Sequence, residues 1–301
     1  MDKRIIKALV NPQYACLAIV HKLSRFIKSD ELYLKIVYLL SIGKRLNLKN
    51  PKTFNEKLQW LKLYNRKPEY TIMVDKVKAK EYVAKIIGDE HIIPTLKIWN
   101  NPEEIDFDKL PQSFVLKCNH NSGLGMCICK DKGKLNISKV TNNLKKGINQ
   151  DYYMTNREWP YKNVPRKIMA EKFMQDESGE NLTDYKFFCF KGEPFMMYVS
   201  HDNAEQATTD FFDMDYKRLP IRMKDPNSKE LPVKPKEFEE MREYARKLCT
   251  GIPFLRVDFY IINHVVYFGE LTFFHNSGLT PIHPEEWDNK LGDLLKLPPI
   301  D

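Results

Sequence analysis

Glycine is scarce in this chain, 12 of 301 residues, so long disordered parts are not expected. With 43% hydrophobic and 12% aromatic residues, the composition is that of an ordinary globular protein large enough to bury a sizeable core, as one domain or two lobes. Cysteine is rarer still. The six stand at positions 16, 118, 127, 129, 189 and 249 with no C-x-x-C pair, which excludes a zinc ribbon or a dithiol redox motif. Cys118, Cys127, Cys129 and Cys189 read as small buried thiols inside strands, which fits a reducing cytoplasm. Long hydrophobic runs are missing too. Lys3 and Arg4 precede an apolar stretch, but Lys7, Pro12 and Gln13 interrupt it without a small-residue cleavage site, so neither a signal peptide nor a membrane span is expected. There is no internal repeat. The loop Asn119 to Met126 lacks the Gly-Lys-Ser/Thr ending of a Walker loop and returns as a strand rather than a helix.

What the chain does have is positive charge. A net +8 comes from lysines spread along its length, which favours an anionic partner: a nucleotide, an anionic sugar or a membrane surface. Nucleic acid is not among the expected partners. Residues 1 to about 45 read as helices with an apolar face, Leu32, Leu34, Ile36, Val37, Leu39 and Leu40, ringed by basic residues. They either dock on the main body or lie against an anionic membrane. Thr53-Phe54-Asn55-Glu56 has the spacing of a capping box opening a helix through Leu63. Asp75 to Ile87 alternates apolar residues and lysines at helical spacing up to Gly88, its lysines reading as a solvated face.

The densest alternation lies near the carboxyl end. Arg256 to Tyr260 and Tyr267 to Phe273 form two strands of a hairpin around Asn263. A three-residue loop, Ile262-Asn263-His264, places Val257, Phe259, Ile261, Val265, Tyr267 and Leu271 on one apolar face. The other face then carries Arg256, Asp258, Glu270 and Thr272, with Glu270 opposite Arg256 and one diagonal step from Asp258. Two acids so close suit a magnesium ion that also holds phosphate. The alternative is an Arg-Asp cross-strand pair with Glu270 in solvent.

Further strands are expected at 113–118, 127–129, 167–174, 184–190 and 195–199. The two-glycine loop between the first pair, with Ser122, Gly123 and Gly125, can lay backbone N–H groups over phosphates beside Lys117, or be only a turn. Asp184 and Lys186 share one face of their strand. Arg157, Trp159 and Tyr161 belong to an aromatic-basic patch that either recognises a carboxylated or sugar-like acceptor or packs in the core. Asp213-Met214-Asp215 matches the metal-holding pair of a nucleotide-sugar glycosyltransferase, or closes a β-turn. An amphipathic helix is expected over 232–249, with Phe238, Met241, Tyr244, Ala245 and Leu248 inward, and a closing helix from Glu285.

Taken together, Asn55-Glu56-Lys57-Leu58-Gln59-Trp60, Phe114-Val115-Leu116-Lys117-Cys118-Asn119-His120, Asp184-Tyr185-Lys186-Phe187, Arg256-Val257-Asp258 and Phe268-Gly269-Glu270-Leu271-Thr272-Phe273 resemble the ATP-grasp superfamily. The closest likeness is to its TupA-like branch, named for teichuronopeptide biosynthesis, over about residues 46 to 296. The resemblance implies an α+β fold of two lobes gripping ATP, residues 46–301, behind a helical extension, 1–45. It also implies that Lys117 and Lys186 contact ATP phosphates, with Ser122, Gly123 and Gly125 in the lid. Glu171 and the Lys172-Phe173 backbone would meet adenine, and Glu177 or Asp184 the ribose. Asp258 and Glu270 would bind magnesium, and Arg256 would steady an acyl-phosphate. Where many superfamily members have Asn two places after the magnesium-binding glutamate, this chain has Thr272, and Asn276 is the expected substitute.

The function these readings favour is an ATP- and magnesium-dependent carboxylate-amine ligase forming ADP. It would join a uronic acid or amino acid to an amine in cell-surface polymer synthesis, from the cytoplasm and in possible contact with the inner membrane. The alternatives are a nucleotide-sugar glycosyltransferase and a non-catalytic protein that binds an anionic polymer.

Overall fold

A computed structural model describes residues 12–177, 182–202 and 207–300. Five helices come first: α1 (Pro12–Lys22), α2 (Asp30–Ile42), α3 (Phe54–Tyr64), α4 (Pro68–Val74) and α5 (Lys78–Ile87). Then follow β1 (Thr95–Trp99), β2 (Phe114–Cys118), β3 (Cys127–Cys129), α6 (Ile137–Ile148), β4 (Ile168–Lys172), β5 (Asp184–Phe190), β6 (Glu193–Asp202) and β7 (Ala207–Asp213). The chain closes with α7 (Phe238–Leu248), β8 (Phe254–Ile262), β9 (Val265–Thr272) and α8 (Glu286–Leu294). The strands form two antiparallel sheets, ordered β1-β4-β2-β3 and β7-β6-β5-β8-β9. The fold is mixed α+β.

The small sheet packs one face on α6 through Phe114, Leu116, Ile168, Ala170 and Leu144. Because side chains alternate along a strand, Lys117 and Glu171 project from the other face. The large sheet buries Phe187, Val257 and Phe259 on its back, under Phe238 of α7, whose ring lies 5.8 Å from that of Phe187. Its front face is apolar at one end, where Phe54 packs against Phe188, Phe190 and Phe254. At the other end it is polar. Phe54 is placed by the expected capping box, since Thr53 accepts from the Glu56 amide and the Glu56 carboxylate accepts from that of Thr53.

The β8-β9 hairpin differs from expectation in two ways that together keep both carboxylates on one face but move Glu270 from opposite Arg256 to opposite Asp258. Its loop has two residues, Asn263 and His264, both left-handed (φ 49° and 63°), as a tight right-twisted hairpin requires. Ile262 therefore pairs with Val265, and Ile261 with Val266. Between Asp258 and Phe259 the register shifts by one residue at Gly269, a bulge where a Cβ would meet the Tyr260 ring at 3.0 Å and the Asp258 carbonyl at 3.1 Å. Val266 and Phe268, rather than Val265 and Tyr267, are thus the buried partners of Ile261 and Phe259. Glu270 stands directly opposite Asp258.

The described amino-terminal helices dock on the body. Tyr33, Leu34, Val37 and Tyr38 of α2 are buried against Leu46. Asp30 takes an ion pair from Arg66 at 2.9 Å and a hydrogen bond from the Tyr153 hydroxyl at 2.6 Å. On α1 no residue is buried, and Ile19, Leu23 and Phe26 stand exposed.

Candidate active site

Between the two sheets lies a narrow cavity of about 60 Å³, lined by Lys76, Lys80, Lys117, Glu171, Tyr260 and Glu270 among others. Lys80 and Lys117 each reach one oxygen of the buried Glu171 at 2.5 Å. Burial pushes the Glu171 carboxyl up, but the two lysines outweigh it and hold it below its usual range. Lys76 bridges the lobes, donating to the Asn121 carbonyl at 2.8 Å and to Glu270 at 3.2 Å.

The large sheet supplies the other wall. Antiparallel partners share a face, so Tyr198, Lys186, Asp258 and Glu270 form one row across β6, β5, β8 and β9. Asp258 is 2% exposed. Arg256 grips it through Nε at 2.7 Å and Nη2 at 2.6 Å, while Lys186 reaches it at 3.0 Å and Asp184 at 2.8 Å. Burial disfavours the Asp258 carboxylate, yet Arg256 and Lys186 keep its pKa below the ordinary value. The third side of Arg256 is taken by His275, whose Nδ1 lies 2.9 Å from Nη1. His275 is held neutral, chiefly by burial and then by the guanidinium charge, so Nδ1 accepts and Nε2 carries the proton.

Residues 56–296 match the family model described as TupA-like ATPgrasp. The chain belongs to the TupA-like ATP-grasp family. Members of the ATP-grasp superfamily are ATP-dependent ligases. No curated protein matches it by sequence. Among solved structures it is similar to the D-alanine--D-alanine ligase of Bacillus anthracis complexed with ATP, at 16% identity over 67% of this chain and 54% of that one, TM-score 0.40. The Helicobacter pylori ligase of the same name matches at 14% over 81% and 69%, TM-score 0.43. The ATP-grasp ligase PsnB, complexed with minimal precursor, Mg and ADP, matches at 10% over 73% and 57%, TM-score 0.37. The chain thus spans little more than half the length of the Bacillus ligase.

Against this ATP-grasp frame, Lys117, Glu171, Lys186, Asp184, Arg256, Asp258 and Glu270 come together between the sheets. Ser122 and Gly123 stand exposed at the loop tip. Gly125 serves packing: a Cβ there would meet Cys118 Sγ at 2.8 Å and the Gly147 Cα at 3.0 Å. The loop's root is fixed by buried amides, Asn119 donating to Asp75 at 2.8 Å and Asn121 to the Gly147 carbonyl at 3.1 Å.

Other expected residues lie elsewhere. The Lys172 amide is used by the Pro94 carbonyl at 3.0 Å, and the half-buried Phe173 ring lies under Lys130. Glu177 donates its amide to Asn263 at the hairpin tip and borders a hollow with Tyr185 and Ile261, residues of the sheet's back face. Arg157, expected at an acceptor, is 1% exposed and clamps the amino-terminal helices, donating to the Ser24 and Ile27 carbonyls and pairing with Asp30. The Trp159 indole donates to the buried Asn65 carbonyl. Only the half-buried Tyr161 of that trio is near the cleft acids, where the Glu270 charge acts on its hydroxyl. Asp213 accepts from the Asp215 and Lys217 amides, the turn-closing role, and Asp215 is exposed.

A magnesium site can be tested on the donors present. Among the described residues no group of three His, Cys, Asp or Glu converges. The paired Asp258 and Glu270 nevertheless fit an ion that takes one or two carboxylates and completes its shell with phosphate oxygens and water. Asn276, the expected further ligand, is instead exposed, with its amide 3.1 Å from the His275 ring. Thr272 stands directly opposite Arg256 on the acidic face, its Oγ1 buried with no partner among the described residues. Lys76, Lys80 and His275 were missed in the sequence. The signal available was positional, since Lys80 adjoins the buried Ala79 and Lys76 follows the buried Asp75.

Proposed function

We propose that this chain is an ATP- and magnesium-dependent carboxylate-amine ligase of cell-surface polymer biosynthesis. It activates a carboxylate, of a uronic acid or an amino acid, as an acyl-phosphate and releases ADP. The observation that carries this reading is the face-to-face pairing of Asp258 and Glu270 among Lys76, Lys186 and Arg256. Phosphoryl transfer needs positioning and charge neutralisation rather than a nucleophilic side chain. Lys117, Lys80 and Lys76, now held on carboxylates, are placed to hold phosphate oxygens. Arg256, fixed on three sides, is placed to steady a carboxylate or acyl-phosphate, and the Asn119–Met126 loop to exclude water. Magnesium, when bound by Asp258, Glu270 and Thr272, supplies further charge neutralisation at the transferred phosphoryl.

The glycosyltransferase reading loses its support, because the Asp213 carboxylate is spent on its own turn. Exposed Ile19, Leu23 and Phe26 beside Lys22, Arg25 and Lys28 support peripheral contact with an anionic membrane from the cytoplasmic side. Thermal melting tests the central reading: ATP with magnesium is expected to stabilise the protein, and uridine or guanosine sugar nucleotides are not. Stabilisation by a sugar nucleotide without ATP would overturn it.

A further inference from the structure

A second cavity opens on the front face of the large sheet, at the other end of the row that begins with Glu270. It measures about 150 Å³ and is lined by Tyr198, Ser200, Thr209, Phe211, Met223 and His275 among others. Tyr198 belongs to both places. Its neighbour across the strands on one side is Lys186, and on the other it lines this cavity with Phe211. The register explains the wall: Ser200 stands opposite Thr209, and residues two apart on a strand share a face.

The hydroxyls gathered here are uncommitted. Tyr198 is 7% exposed and Thr209 8%, yet neither hydroxyl, nor that of Ser200, makes a hydrogen bond among the described residues. Buried polar groups of this kind take water or a ligand that supplies matching partners. Burial pushes the Tyr198 phenol up, with the Arg256 charge opposing it, so the hydroxyl stays protonated at neutral pH. It donates as well as accepts, as Ser200 and Thr209 do. His275 joins the cavity to Arg256: Nδ1 lies 2.9 Å from Nη1, while Nε2–H faces the Met223 sulfur at 3.2 Å, a weak acceptor.

Three hydroxyls, an imidazole N–H and the Asn276 amide match a ligand whose own groups both donate and accept, as sugar hydroxyls do. Phe211 and Met223 supply apolar surface for its carbon skeleton. Arg256 behind His275, and Lys186 beside Tyr198, supply positive charge for a carboxylate. An amino acid would need in addition a carboxylate for its ammonium group, and Asp258 and Asp184 are already held by Arg256 and Lys186. The geometry points to this cavity as the seat of the carboxylate substrate, and to Tyr198, Ser200 and Thr209 as the residues that select a polyhydroxylated acid, of the sugar-acid class, over an amino acid. The assignment as the activated substrate rests on the ligase reading; the sugar-acid site itself does not.

The test titrates D-glucuronate, L-glutamate and D-glucose calorimetrically into the full chain at constant ionic strength, alone and with magnesium and a non-hydrolysable ATP analogue. Glucuronate is expected to bind at least tenfold more tightly than glutamate, which has a carboxylate without the hydroxyls, and than glucose, which has the reverse. Ser200→Ala combined with Thr209→Val removes two hydroxyls at nearly constant shape and is expected to weaken glucuronate at least tenfold. Tyr198→Phe keeps the ring and is expected to weaken it a fewfold; urea midpoints show which variants are folded. Glutamate bound as tightly as glucuronate, no glucuronate binding in either state, or unchanged affinity in the folded variants would overturn the proposal. ADP formation is measured separately with pooled amines. Glucuronate binding without glucuronate-dependent ADP would remove the ligase reading and leave the site standing, whereas glutamate-dependent ADP without glucuronate binding would do the opposite.

Discussion

Asp258 is held by two cations in a place where burial alone would favour its neutral form. Removing its charge leaves Arg256 and Lys186 facing an amide, and breaking a buried pair in this way costs about 3–5 kcal/mol. Asp258→Asn is therefore expected to lower the urea midpoint as well as abolish turnover; a variant as stable and active as the native chain would contradict the site. Glu171 gives a pH prediction. Its folded pKa lies below the unfolded value because Lys117 and Lys80 outweigh burial, so its contribution is present above the unfolded pKa, about 4.3, and is lost as pH falls through the folded one. Urea midpoints measured downward from pH 6 should fall in the native chain and fall less steeply in Glu171→Gln. Lys117 was legible in the sequence from its place beside the two-glycine loop and, like Glu171, through the family resemblance, though their pairing with each other was not. Lys76 and Lys80 were not, since a lysine beside a helix reads alike whether it meets water or a carboxylate across a cleft.

At the scale of elements, the hairpin shows where periodicity stops informing. Alternation located both strands and the acidic face, but a bulge adds one residue without changing local composition. Only Gly269 marked it; the loop is one residue shorter than expected and the bulge adds a second step the same way, so the acidic face survives while Glu270 changes partner from Arg256 to Asp258. Gly269→Val would drive a branched side chain into Tyr260 and the Asp258 carbonyl, 3.0 and 3.1 Å from the Cβ position. Overpacking of that kind costs about 1–3 kcal/mol, and the variant is expected to lose stabilisation by ATP and magnesium beyond its own loss of melting temperature. Retained nucleotide stabilisation would show that the bulge does not set the carboxylate pair. His264→Gly, at φ 63°, should instead be neutral or stabilising by up to about 1 kcal/mol. The edge strand β1 escaped sequence reading for a related reason: it is exposed along all but its last residue, so no core face declared it.

Across the whole molecule, the motifs revealed the two-lobed fold, whereas the closeness of the lobes is a property of side chains distant in sequence. A cavity of about 60 Å³ is far below the roughly 300–1,000 Å³ of a small-molecule site, so the proposed binding of ATP between the sheets requires the lobes to part and the lysine-carboxylate pairs to exchange for lysine-phosphate ones. The amino-terminal helices differ in packing at about Ser24: α2 is tied to Arg157 through Asp30, while Ile19, Leu23 and Phe26 face outward. Replacing those three with serine is expected to release the chain from anionic vesicles without lowering its urea midpoint; unchanged vesicle binding would return them to a purely structural role. The central claim is that ATP is cleaved at its terminal phosphate to activate a carboxylate. The most direct measurement is to incubate the protein with ATP, magnesium and pooled uronic and amino acids and to resolve the nucleotides formed. ADP that rises in proportion to acceptor is the expected result, and acceptor-dependent AMP with pyrophosphate would contradict the account.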